Sequence, residues 1–352
     1  MKPLTHSLRF CVLAAACVFS GITINANTGR GFILLALPLV VMLTLVHLSS
    51  SGQYRSRWLV GAVGLLLLCA ANGSRPGSVL LMLLGLVLFE ALRSNYRGRA
   101  ITRIDLRWLV GVGGLMILLA LVDLVTGTTM RLWTGYAAHE TPLINVPRLK
   151  LFFSEPSYLG VFCAAVFFRL HGHPGLRWFM LLVICLTHSL FAAIYFLVLL
   201  LRRKTRLLAV LSCVALAGVI AIAQADVDLF FVSSGLIRLV GITQLSNMDG
   251  LSLWLGHGLG AGDSALETLF NGYGIETANG FLFSLVYDVG LLGMLCLYLA
   301  YTRSFFDLVH FNLLLLNFGI GSFLLPVLLF MNTAAVRPRK SLNLTVPGGS
   351  AP

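Results

Sequence analysis

Long apolar runs without charged residues follow one another along almost the whole chain, and they constrain the fold more than any other feature. A helix needs about 20 apolar residues to cross a bilayer, and somewhat fewer inside a packed bundle. Hydrocarbon offers no water to pair with backbone N–H and C=O groups, so a run that lies in a membrane must be helical. Charged residues make up 11% of the chain, against roughly 25% in a soluble domain. The sequence therefore predicts an all-α polytopic membrane protein that forms one integral membrane domain over residues 1–352.

The positions of the basic residues predict about twelve transmembrane helices with both chain ends in the cytoplasm. Lysine and arginine are enriched in cytoplasmic loops, and this topology leaves only six of the 25 outside. The runs at 178–201 and 307–336 are interrupted at 187–189 and 319–321, so we expect each to form two short helices. The predicted spans are residues 10–24, 31–48, 58–71, 78–92, 108–125, 157–168, 207–223 and 280–301, together with these two pairs.

Two long loops lie on the periplasmic side in this topology, at residues 126–156 and 224–279. They contain most of the acidic residues and several aromatic ones. Loops of this length in a compact protein are usually functional or disordered. We expect both to pack on the helix bundle with short interfacial helices, one of them at residues 236–245, and residues 337–352 to form a cytoplasmic tail.

The charge and cysteine patterns exclude several other classes of protein. The net charge of +12 comes mostly from the cytoplasmic loops, and no basic stripe with interleaved aromatic residues indicates nucleic-acid binding. The seven cysteines all lie in apolar runs, which argues against a disulfide framework and against a zinc site. We therefore expect no nucleic-acid partner, no metal and no cofactor.

A cluster of charged residues at residues 147–158 is unusual in such a charge-poor chain. The stretch reads PRLKLFFSEPSY and places Arg148, Lys150 and Glu155 just before an apolar run. Arginine offers a planar fork of donors that suits phosphate and diphosphate groups. Glu155 is the best candidate for a chemical base. Its alternative role is structural, complementing the dipole of the following helix while a neighbouring serine caps it.

Five further polar residues are candidate site residues, either at the periplasmic face or inside a predicted span. Arg75 lies in a Ser-Arg-Pro-Gly turn and Arg238 beside apolar residues of the second loop. His257 lies in a Gly-His-Gly-Leu-Gly segment, whose glycines allow the backbone to approach a ligand or a helix closely. His188 interrupts an apolar run, and both histidines could equally be plain interfacial residues. Asp288 lies within a predicted span, where an acid is usually functional or paired.

Three short segments occur in an order and spacing typical of one bacterial envelope family. They are FSEPSYLG at 153–160, LGHGLG at 255–260, and ANG at 278–280 followed by YDVGLLG at 287–293. Together they resemble the O-antigen ligase/polymerase superfamily. The first is similar to the Glu-Pro-Ser stretch of its exopolysaccharide polymerases, the second to a glycine segment of its large periplasmic loop, and the third to the end of that loop and the next helix. The resemblance covers about residues 71–300.

This resemblance implies a metal-independent glycosyltransferase in the bacterial inner membrane, with its active site facing the periplasm. The donor would be a growing glycan on undecaprenyl diphosphate and the acceptor a lipid-linked repeat unit. A chain-length regulator and a flippase would be its protein partners, and membrane lipid would surround it. The implied catalytic residues are Glu155, Arg238 and His257, and the implied substrate-binding residues are Arg75, Arg148, Lys150, His188 and Asn279.

The sequence departs from the family pattern in two places and leaves other functions open. Ligases commonly have a histidine where this chain has Ala278, and the long arginine motifs of the polymerases are represented only by Arg238. A ligase that transfers the glycan to lipid A core would use the same donor. A lipid-linked sugar transporter or flippase would favour inverted repeats, and no clear repeat is present. A non-catalytic membrane scaffold is the remaining alternative.

Overall fold

The computed structural model describes residues 56–95, 103–126, 133–134, 148–151, 153, 155–168, 170, 173–223, 241–245, 248–262, 264–265, 281–320, 322 and 324–333. Most of these residues are helical, which confirms the predicted helical class. The predicted spans at 10–24 and 31–48 and the predicted tail at 337–352 lie outside the described residues.

The helices coincide with the predicted apolar runs and are numbered here along the described residues. Proline is the first residue of three of them, where its missing N–H has no helical partner to lose. The helices are α1 (Ser56–Ala71), α2 (Pro76–Asn95), α3 (Arg103–Thr126), α4 (Pro156–Phe167), α5 (Pro174–Leu186), α6 (Leu190–Leu200), α7 (Thr205–Ala223), α8 (Ile242–Leu245), α9 (Gly250–Leu255), α10 (Phe281–Tyr301), α11 (Phe305–Leu315) and α12 (Leu324–Thr333).

Both interrupted runs form two helices, as predicted. Residues 178–201 are divided at Thr187, after which His188 adopts a left-handed backbone with φ of 44°. Ser189 begins α6, because its side chain accepts a hydrogen bond from the N–H of Ala192 at 3.2 Å. The second run forms α11 and α12. Of the helix predicted at 236–245, α8 covers the last four residues.

A two-residue strand pair adds an element that the all-α prediction did not include. Strands β1 (Trp133–Thr134) and β2 (Arg148–Leu149) pair antiparallel, with Trp133 opposite Leu149. Periodicity could not predict this pair, because two residues are too few for an alternating pattern. The pair joins two distant parts of the loop at 126–156, and Leu149 is buried there.

One helix among the described residues is long and apolar enough to cross a membrane, over Leu282–Tyr301 of α10. Several others are apolar but have shorter apolar stretches, of 10–17 residues. Large hydrophobic side chains are exposed on α1, α3 and α7, and they include Leu67, Leu118 and Val214.

Small residues bring α1 and α10 close together. A Cβ atom on Gly61 would lie 2.5 Å from the carbonyl oxygen of Cys296, and one on Gly64 would lie 2.9 Å from its sulfur. Further along, a Cβ on Gly293 would contact Leu65. Residue numbers rise along α1 as they fall along α10, so the two helices are antiparallel. Glycine allows such close packing between helices in a membrane, where van der Waals contact drives association.

Aromatic and polar side chains fill the core beside this pair. The ring of Tyr301 stacks on Phe311 with centroids 5.1 Å apart and contacts Phe89 at 5.0 Å. Between α6 and α11, the hydroxyl of Tyr195 and Nε2 of His310 form a buried hydrogen bond of 2.8 Å. These contacts connect α11 to α6 and α10, and α10 to α2.

The close contact at Gly61 predicts the effect of adding one methyl group. Gly61→Ala forces a backbone shift against Cys296, and overpacking costs about 1–3 kcal/mol. The matched control is Gly111→Ala in α3, where a Cβ would meet nothing within 4 Å and alanine favours the helix by about 1 kcal/mol. Thermal unfolding of the detergent-purified variants should show a lower midpoint for Gly61→Ala and an equal or higher one for Gly111→Ala. Equal midpoints for both variants would contradict the packing of α1 on α10.

Candidate functional site

The helix α10 is broken at Gly290, and the break creates the centre of the site. Gly290 has φ of 64° and ψ of −177°, a backbone that a side chain does not tolerate. A Cβ atom on Gly290 would clash with the carbonyl oxygen of Trp254, and a Cβ on Gly256 would clash with that of Asp288. The glycine-rich segment therefore touches the broken helix backbone to backbone, as its sequence predicted. The helix predicted at 280–301 is present as α10, but the sequence did not predict the break within it, because glycine in an apolar run gives no separate signal of a break.

The glycine-rich segment supplies hydrogen bonds that the broken helix no longer makes. The N–H of His257 donates to the carbonyl of Tyr287 at 3.0 Å, and the N–H of Gly258 donates to that of Asp288 at 2.8 Å. Buried backbone groups need such partners. We call this contact, between residues 256–262 and residues 287–290, the glycine-loop junction.

The carboxylate of Asp288 closes the glycine-loop junction. It is 6% exposed. Its two oxygens accept from the N–H groups of Gly260 at 2.9 Å and Gly262 at 2.6 Å. Hydrogen bonds to a charged acceptor are stronger than neutral ones. The acid that the sequence marked as functional or paired is thus bonded to the backbone of the loop.

The turn between α1 and α2 binds the other side of the same loop. Asn72 Nδ2 donates to the carbonyl of Leu255 at 2.8 Å. The N–H of Leu259 donates to Ser74 Oγ at 2.8 Å, and the Leu259 carbonyl accepts from the N–H of Arg75 at 3.1 Å. The turn between α1 and α2 and the glycine-rich segment are therefore held together, although they lie more than 180 residues apart in the chain.

This arrangement presents Arg75 and His257 at the surface. Arg75 lies across Gly260, where a Cβ would meet its Cδ at 2.9 Å, and its Nη2 donates to Ser264 Oγ at 2.7 Å. The ring of His257 is exposed and stacks on Tyr287 with centroids 4.2 Å apart and planes 9° from parallel. A guanidinium and an imidazole are thus both exposed on residues that belong to or contact the glycine-rich segment.

A second cluster lies at the start of α4. Glu155 occupies the position before the first helical residue, but its side chain makes no capping hydrogen bond. Its Oε2 instead accepts from the hydroxyl of Ser157 at 3.0 Å. The same hydroxyl lies 3.3 Å from Oδ1 of the buried Asn317. Ser157 belongs to the first turn of α4, so the carboxylate of Glu155 stays at the helix start, and its alternative role in complementing the helix dipole remains open.

The turn between α5 and α6 joins this second cluster. Arg148 donates from Nε to the carbonyl of Thr187 at 3.2 Å. Helix ends carry partial negative charge, which favours a cation there. His188 follows directly and is exposed. Gly160 of α4 packs on this turn, since its Cβ would lie 2.9 Å from Thr187 Oγ1.

The structure thus divides the predicted site residues between two clusters. Arg75 and His257 belong to the glycine-loop junction, and Arg148, Glu155 and His188 lie around the start of α4. Lys150 is half-buried in the turn after β2, where its carbonyl accepts from the N–H of Phe153 at 3.1 Å. Arg238 and Asn279 lie outside the described residues.

Sequence reasoning missed three polar partners in these clusters. Asn72 and Ser264 hold the glycine loop and Arg75, and Asn317 contacts Ser157. A signal existed for Asn317, since it is one of three asparagines in an apolar run. Within the described residues, no group of three His, Cys, Asp or Glu side chains is placed to hold a metal ion.

Comparison with known proteins gave no relative: no family model, no curated protein and no solved structure matches the chain. Function is therefore inferred from the residues of the chain and their geometry.

Both oxygens of Asp288 accept hydrogen bonds in the glycine-loop junction, so we predict that its negative charge stabilises the loop. In Asp288→Asn an amide nitrogen replaces one acceptor and faces a loop N–H, which should cost about 2 kcal/mol. We expect faster hydrogen exchange at residues 256–262 and a lower thermal midpoint. Asp249→Asn is the matched control. The Ser252 N–H donates to Asp249 at 2.6 Å and holds the pKa of that exposed carboxyl below its ordinary value, but asparagine starts helices equally well. Unchanged exchange in Asp288→Asn would contradict the role of this carboxylate.

Proposed function

We propose that this protein is a polysaccharide polymerase of the bacterial inner membrane. It transfers a growing glycan from undecaprenyl diphosphate to a lipid-linked repeat unit at the periplasmic face. The observation that carries the proposal is the convergence of the turn with Arg75, the glycine-rich segment and the YDVG segment of α10. The last two are parts of the chain that resemble the O-antigen ligase/polymerase superfamily, and Arg75 and His257 are exposed where these segments meet.

The membrane placement is part of the proposal. The apolar stretch Leu282–Tyr301 and the outward-facing hydrophobic side chains of α1, α3 and α7 support it. We propose about twelve spans with both ends in the cytoplasm. The loops at 126–156 and 224–279 then lie in the periplasm, on the side of the glycine-loop junction.

In the proposed reaction, a hydroxyl of the acceptor sugar attacks the anomeric carbon of the donor glycan. The new bond is carbon–oxygen, and the bond from that carbon to the diphosphate breaks, so negative charge develops on the leaving diphosphate. Glu155, oriented by the Ser157 hydroxyl at 3.0 Å, takes the proton of the attacking hydroxyl. Arg75, Arg148 and Lys150 stabilise the diphosphate.

The remaining predicted residues complete this proposal. His257 would act as a second catalytic group, and Arg238 would contribute a further cation. His188 and Asn279 would contact sugar or diphosphate.

A lipid-linked sugar transporter is the second candidate, and one observation favours it. α11 carries Asp307 and His310, which are buried, and Asn317 is buried just beyond its end. Buried polar residues in apolar helices often mark transport pathways. A ligase acting on lipid A core shares the donor site of the polymerase and differs in its acceptor.

Glu155→Gln and Arg75→Gln test the proposal in the cell that makes the glycan. Glutamine preserves size and polarity but cannot accept the proton, and general-base catalysis contributes about 100-fold or more. We expect glycans that stop at one repeat unit for Glu155→Gln and much shorter chains for Arg75→Gln. The measurement is glycan length by gel electrophoresis, with the membrane level of each variant determined in parallel.

An exposed position away from both clusters provides the control. Arg206→Gln, in the first turn of α7, controls for the loss of an arginine. It should make glycans of normal length. Long chains that fail to reach lipid A core would favour the ligase. Normal glycans in both site variants, at normal protein levels, would contradict the proposed site.

A further inference from the structure

A basic cavity lies between α1, α2 and α10, at the end of these helices opposite to the glycine-loop junction. Its volume is about 350 Å³, which falls in the range of small-ligand sites. Three arginines contribute to its lining: Arg57 from the start of α1, Arg93 from the end of α2 and Arg303 from just after α10. Ser56 and Thr302 add hydroxyl groups.

The charges around this cavity favour an anion. Arg57 and Arg303 are exposed at its rim. Arg93 lies deeper, with its side chain 13% exposed and 3.6 Å from the carboxylate of Glu90. Its Nε has no hydrogen-bond partner among the described residues. Asp307 accepts from the N–H of Arg303 at 3.2 Å.

An apolar stripe leads directly from the cavity. Leu299 is one of the lining residues. Together with Leu295 and Leu291 it forms a row at four-residue spacing along one face of α10. These three side chains are 36%, 53% and 40% exposed. Residues four apart lie one above the other on a helix. The row therefore forms a continuous apolar surface that runs along α10 from the arginines toward the middle of the helix.

We propose that this cavity binds the phosphate of an anionic glycerophospholipid, whose acyl chains lie along Leu291, Leu295 and Leu299. Guanidinium groups match phosphate oxygens in pairs, and Arg93 Nε offers a buried donor that lacks a partner. The stripe selects a lipid over free phosphate, because free phosphate has no apolar part to bury. In the proposed topology the cavity faces the cytoplasm, where anionic headgroups bind basic pockets between helices.

This inference rests on the proposed membrane placement and is independent of the glycan reaction. The full-length protein in mild detergent would be titrated with phosphatidylglycerol, with phosphatidylcholine or with inorganic phosphate. Bound lipid is counted by native mass spectrometry, and the thermal midpoint is measured in parallel. If the native protein binds phosphatidylglycerol but does not polymerise glycan, only the proposed function is contradicted; if it polymerises glycan but does not bind phosphatidylglycerol, only this inference is contradicted.

The test variant is Arg57→Gln combined with Arg303→Gln, since both side chains are exposed and their loss leaves the Arg93–Glu90 pair in place. The control is Arg206→Gln, an exposed arginine outside the cavity. We expect phosphatidylglycerol to bind and to raise the midpoint in the native protein and in the control. Binding by the double variant should weaken about 25-fold, at about 1 kcal/mol per arginine.

Two outcomes would overturn the proposal. The first is equal retention of phosphatidylcholine and phosphatidylglycerol, which would mean that charge has no role. The second is equal stabilisation by inorganic phosphate, which would make the cavity a site for a free anion. Arg93→Gln alone, which retains both rim arginines, should also weaken phosphatidylglycerol binding; unchanged binding would contradict the role of the buried donor.

Discussion

The carboxylate of Asp288, bonded to the N–H groups of Gly260 and Gly262, is the contact on which the rest of the candidate site depends. An uncompensated buried charge costs several kcal/mol, so the acid and the loop amides require one another. The break at Gly290 admits the glycine-rich segment against α10, and the carbonyls of Tyr287 and Asp288 accept from its amides. Removing any one of these features would leave the others with unpaired polar groups in an apolar bundle.

The position of Arg75 follows from that contact. The loop held by Asp288 also pairs through Leu259 with Ser74 and Arg75 of the turn between α1 and α2. Gly61 and Gly64 allow α1 to pack closely on α10. This packing holds the turn at the end of α1 next to the glycine-rich segment. The arginine is therefore placed by a chain of backbone contacts, which favours a precise role in binding an anionic group.

The sequence predicted the helices well, including the divided run at 178–201, because apolar periodicity and turn residues are local signals. It also identified the glycine-rich segment and Asp288 as sites of close approach or pairing. It did not reveal that these two contact each other, nor that Ser157 meets Asn317, since each pair is joined by side chains or amides from distant parts of the chain. Apolar patterns define which faces are buried but not which helix covers them.

Two ends of the same helices carry different chemistry. The glycine-loop junction holds an arginine and a histidine, and the opposite end holds the cavity lined by Arg57, Arg93 and Arg303. This division fits a membrane protein that handles a lipid-linked anion on one side and contacts anionic lipid on the other.

Polymerisation by the purified protein in liposomes, supplied with a lipid-linked repeat unit, would distinguish a polymerase from a transporter. Products would be separated by length, and release of the lipid diphosphate carrier would be followed at the same time. We expect glycans of two or more repeat units, with one carrier molecule released for each bond formed. Movement of the lipid-linked unit across the bilayer without any new glycosidic bond would contradict this expectation and identify a transporter.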